Sequence, residues 1–137
     1  MKRIFQAIIT FFVMICMITS AFASSPKSSD KINRFDVNAK AAGNGEILIE
    51  VYMTTTDVMD ALGIENLTIL RKSGSTWVEV ESYDQNDEGM CAYNSVKYTN
   101  KIKFFGTAGK NYKIQAEFFA ENASGYESRV KTDFVTA

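Results

Sequence analysis

The chain is predicted to fold as a single all-β domain, a seven-stranded antiparallel sandwich behind a cleaved signal peptide. Three observations lead there. Apolar and polar residues alternate with a period of two over most of the chain after residue 34. Short Gly- and Asn-containing turns separate the alternating runs. No window carries a convincing apolar stripe of helical period; at most one helical turn fits around Val58-Met59, with Thr56 or Asp57 as its cap.

The N-terminus reads as an export signal. Lys2 and Arg3 form a charged start, Ala7 to Ile18 is apolar, and Ala21-Phe22-Ala23 supplies a small-x-small cleavage site. The apolar run falls short of the ~20 residues that a membrane span needs. Cys16 lacks the small preceding residues of a lipoprotein anchor, since Val13-Met14-Ile15 stand there. Cleavage is expected after Ala23, giving residues 1–23 as signal, 24–33 as a polar flexible leader and 34–137 as the sandwich domain. The expected location is secreted, outside the cell, with no membrane insertion after cleavage.

Seven strands are predicted, near 34–40, 45–54, 66–72, 76–83, 95–105, 111–121 and 128–136. The first places Phe35, Val37 and Ala39 on one face. The second does so with Ile47, Ile49, Val51 and Met53. Val78 and Val80 alternate with Glu79 and Glu81 in the fourth. Tyr112, Ile114, Ala116 and Phe118 line the inner face of the sixth. In the seventh, Val130, Thr132 and Phe134 are read as inward and Arg129, Lys131 and Asp133 as outward. Gly43-Asn44-Gly45, Ser73-Gly74-Ser75 and Ala123-Ser124-Gly125 are hairpin turns, and Asn-Gly favours type I′. The longer links at 54–65 and 106–110 can cross between sheets. Strands one, two and five would then share one sheet, and strands four, three, six and seven the other.

Composition removes several chemistries. There is no histidine, which excludes Ser-His-Asp and Cys-His catalysis and the commonest zinc ligand. Without Lys2 and Arg3 the 15 basic side chains fall to 13 against 16 acidic ones, so no basic face for nucleic acid is expected. Cys91 is the only cysteine after the signal and can form no internal disulfide. It is read as a half-buried small residue, with a bridge between chains as the alternative.

The remaining motifs are weighed against plainer roles. Asp84, Asn86 and Glu88 with Gly89 imitate the opening of a calcium loop, but position twelve is Ser95 where a bidentate Glu is needed. The stretch is read as an acidic solvated loop. Asn66-Leu67-Thr68 and Asn122-Ala123-Ser124 match the glycosylation triplet, with Asn122 read as a turn former. Glu79 and Glu81 have nothing to split their pKa values as a catalytic pair requires, and pairing with Lys is expected for them. No catalytic residue, cofactor or metal is assigned.

The segment "KIKFFGTAGKNYKIQAEFFAENASGYESRVKTDFVT" resembles the closing strands of fibronectin type III-like and immunoglobulin-like domains. The resemblance implies a tyrosine corner at Tyr112, whose hydroxyl would bond to backbone in the preceding loop. The family's early tryptophan and its proline before the corner are missing here. A second resemblance is carried by Asp60, Leu62, Gly63, Ile64, Gly74, Trp77, Gly109 and Tyr112. These positions are similar to small exported proteins of Gram-positive bacteria, which implies a bacterial source and an extracellular place but no activity.

The functional expectation is a secreted, monomeric, non-catalytic binding module for an extracellular protein or glycan. The alternatives are a carboxylate hydrolase or a structural protein that self-associates through strand edges. The partner-binding surface is expected on the outer face of the second sheet, from Phe119, Leu70 and Val135, with Trp77 at its rim.

Overall fold

The computed structural model describes residues 30–137, so the signal peptide and most of the leader lie outside the described residues. Six strands follow in order: β1 (Ile32–Gly43), β2 (Glu46–Ser73), β3 (Thr76–Asp84), β4 (Cys91–Phe105), β5 (Asn111–Asn122) and β6 (Gly125–Thr136). All neighbours are antiparallel. The sheet is one curled surface. Strand β1 starts two residues earlier than the sequence predicts, and Lys31 is already buried.

The largest difference from the expected fold is β2. The predicted second and third strands and the link between them are one strand of 28 residues. The link was expected to cross between sheets, with room for a helical turn at Val58-Met59. Instead Thr54-Thr55-Thr56 and Val58, β-branched and stiff at χ1, stay extended. The strand bends where its pairing with β4 slips between Thr54 and Met59, so that residues 55–58 stand opposite Val96. The Thr55 hydroxyl donates to the Asp57 carbonyl at 2.8 Å, and the Thr56 amide to the Lys31 carbonyl at 2.9 Å. A second enabling residue is Gly63, at φ 152°; a Cβ there would come 2.1 Å from the Met90 carbonyl oxygen.

The neighbours of β2 change along its length: residues 46–54 lie between β1 and β4, 61–63 between β4 and β5, and 66–71 between β3 and β5, with β6 beyond β5. These are the pairings that the turns predict, now hung on one shared strand. The first turn is of the expected hairpin kind, with positive φ at Asn44 (54°) and Gly45 (83°).

The curl turns the two halves of the sheet toward each other. Ile47, Ile49, Met53, Leu67, Ile69, Ile114 and Phe118 are fully enclosed in one cluster. Each such side chain contributes ~1.5–3 kcal/mol over leaving it in water. Phe35 and Phe118 meet edge-on, centroids 5.5 Å apart. Tyr112 is buried and receives the Thr107 amide proton on its hydroxyl at 2.7 Å, while its ring packs on Phe104 at 5.4 Å. The hydroxyl therefore bonds to backbone in the preceding loop, as expected at this tyrosine.

The predicted facing of the last strand is inverted. Phe134 is 60% and Val130 52% exposed, while Val135 packs against the core. The reason is the edge of β1. Arg129, Lys131 and Asp133 point to the side of β1, where their charges are used. Asp133 accepts the Ala39 amide at 2.8 Å, Lys131 approaches Asp36 at 3.9 Å, and Arg129 reaches Asp30 at 3.2 Å. Glu127 accepts the amides of Lys31 and Ile32, the latter at 3.0 Å, and pairs with Arg129 at 2.7 Å. The Lys31 ammonium donates to Asn122 Oδ1 at 3.0 Å and Ser124 Oγ at 2.6 Å. Strand β6 thus clasps β1 with polar side chains, and its apolar row is left on the outside.

Candidate functional site: an aromatic cleft beside the β5–β6 edge

The pairing register gathers the outer face of the second half. Lys72 stands opposite Trp77 across β2 and β3. Leu70 stands opposite Lys113, and Lys113 opposite Phe134, across β2, β5 and β6. The Trp77 and Phe134 rings approach to 5.8 Å between centroids at a tilt of 52°. The Lys113 ammonium lies 5.2 Å from the Trp77 centroid, within cation–π reach.

A cleft of about 330 Å³ opens next to this pair. Lys72, Trp77, Asn111, Phe134, Val135 and Thr136 line it, above buried Tyr112. Thr136 Oγ1 donates to Asn111 Oδ1 at 2.7 Å, which fixes the polar rim. Such a volume lies at the small end of ligand sites, and its mix of flat apolar walls with a few polar groups suits binding.

The four expected binding residues fare differently. Trp77 is half-buried and forms a wall of the cleft. Leu70 is half-buried on the outer face beside Lys113. Val135 was expected outward but is turned toward the core, because β6 has the opposite phase. Phe119 was expected exposed but is only 3% accessible. Its ring stacks under Tyr126 at 6.3 Å and 17°, and the Tyr126 hydroxyl is held by Glu65. The neighbour of Phe119 on β2 is Gly63.

Phe134, Lys72 and Lys113 were missed. The signal for Phe134 was present as two interleaved rows in β6, Arg-Lys-Asp and Val-Thr-Phe, either of which could face the core. Only the demand of the β1 edge for acceptors decides between them.

The other motifs make local contacts. In the acidic loop, Asp84 Oδ1 accepts the Asn86 amide at 2.7 Å, and Asp87 Oδ2 accepts the Asp84 amide at 2.8 Å. Among the described residues no group of three or more His, Cys, Asp or Glu side chains gathers to hold a metal ion. Glu81 accepts from the Tyr83 hydroxyl at 2.5 Å, whereas Lys pairing falls instead to Glu46 and Glu50. Asn122 accepts from the Ser124 amide at 3.0 Å and shapes the β5–β6 turn. Cys91 is half-buried opposite Gly63, and burial pushes its thiol up from the ordinary value, away from reactivity.

No family model matches the chain, and no curated protein matches it. Among solved structures it is similar to a protein from Archaeoglobus fulgidus, with 6% identity over 77% of this chain and 97% of that one, at a TM-score of 0.41.

Proposed function

We propose that the chain is a secreted, non-catalytic binding module, a fibronectin-like β-sandwich of bacterial origin that holds an extracellular protein or glycan at the Trp77–Phe134 cleft. One observation carries the reading: two aromatic side chains meet at 5.8 Å beside an open cleft, with Phe134 60% exposed. Aromatic anchors dominate the energetics of contact surfaces, and here two of them meet beside an open cleft. The sandwich description is supported by the pairing of β1–β2–β4 and β3–β2–β5–β6 and by the Tyr112 hydroxyl bond to the preceding loop. Export is supported by the tripartite pattern of residues 1–23 alone.

The test is capture from culture medium by the immobilised protein, compared with the double variant Trp77→Ala, Phe134→Ser. Each lost anchor is expected to cost ~2 kcal/mol of binding, so the variant should retain almost nothing while melting close to the wild type. Equal retention by both proteins would reject the cleft as the binding surface. Protease and periodate treatment of the medium separates protein from glycan partners.

A further inference from the structure

We propose that the cleft is selective for an acidic sugar, a uronate-type ring of a polysaccharide. The proposal rests on the cleft being the binding site and adds the chemical class of its ligand.

Charge is the first argument. The chain as a whole is slightly acidic, at formal net charge −1. Yet Lys72 lines the cleft and Lys113 sits against Trp77, and none of the lining residues is acidic. Among the described residues neither lysine takes part in an ion pair, nor do Lys31, Lys97 and Lys110, but only Lys72 and Lys113 lie at the cleft. Two unneutralised ammonium groups flanking an apolar wall call for an anion that also has a flat apolar face.

Shape is the second. Trp77 and Phe134, tilted by 52°, form an open V rather than a closed stack. The C–H face of a pyranose lies flat on such an indole or phenyl surface, and Lys113 already uses the same π-electron attraction. Asn111 and Thr136, bonded to each other at 2.7 Å, present an amide N–H2 and a hydroxyl oxygen at the rim for ring hydroxyls. A peptide would instead want a long groove or an open strand edge with several residues in register, and a cleft of about 330 Å³ offers room for little more than a ring.

Trp77 is the only tryptophan, so its fluorescence reports this site alone. The experiment titrates the protein with trigalacturonate, with its methyl ester and with poly-glutamate. It is run at physiological ionic strength, where diffuse attraction is screened beyond ~8 Å. The proposal expects saturable change with trigalacturonate, and binding weaker by about tenfold for the ester, for Lys72→Gln and for Lys113→Gln. Equal response to ester and acid would overturn the acid selectivity and leave the cleft as the binding site. Equal response to poly-glutamate would overturn the sugar. No response to any probe would overturn the acidic-sugar proposal, while the capture experiment with the cleft variant still decides whether the cleft binds at all.

Discussion

Tyr112 shows how one hydroxyl can hold a loop. Its oxygen takes the Thr107 amide at 2.7 Å in a site where the tyrosine is 2% accessible. Gly106 lies so close that a Cβ on it would stand 2.6 Å from the same oxygen. Replacing Tyr112 with Phe leaves the Thr107 amide without its partner. The expected loss is ~1–3 kcal/mol, the cost of a partly buried donor left unpaired. A urea denaturation midpoint lowered with an unchanged slope is the predicted result; an unchanged midpoint would remove the corner from the account. Phe119 teaches a different lesson at this scale. Strand period put it on the outer face, and the register agrees, but an outer face is not a wet one when Tyr126 lies across it. For Phe119 the strand period shows the side of the sheet and not what folds over it.

Strand β6 is the element whose facing was hardest to read. Alternation in an edge strand is normally decided by apolar burial, but here the inner row is polar because it supplies acceptors and charges to the edge of β1. The clasp also blunts the β1 edge, whose Ile32 and Ala39 amides would otherwise be unpaired backbone. Its pH dependence follows from Glu127. Burial pushes that carboxyl up, but the Ile32 amide, Arg129 and the Lys31 amide together outweigh burial and hold it below the ordinary value. A carboxyl depressed in the folded state adds stability that is fully present above its unfolded value, ~4.3, and is lost as pH falls through the folded value. Wild type should therefore lose stability on acidification below that point faster than Glu127→Gln does, and the two melting curves should converge. Parallel curves across that range would show that Glu127 is not the acid-sensitive latch.

For the whole molecule, the turns made the pairing scheme legible. Tight hairpins at 43–45, 73–75 and 123–125 fix which strands are neighbours, whatever the rest of the chain does. The continuous β2 was not legible, because a Thr-rich stretch between two alternating runs reads as a link until its pairing with β1 through Thr55 and the Thr56 amide bond to the Lys31 carbonyl are known. The cleft was half legible: Trp77 stood out by its residue type, whereas Phe134 emerged only once β6 was committed to clasping β1. Trp77 and Phe134 belong to strands that meet only through β2 and β5, so the site exists only in the assembled sheet. The proposal that partners are held there is tested by amide hydrogen exchange of the protein with and without captured partner. Added protection is expected at residues 70–79 and 130–136 and none along β4. Protection confined to β1 and β4, with the Trp77 and Phe134 segments unchanged, would contradict it.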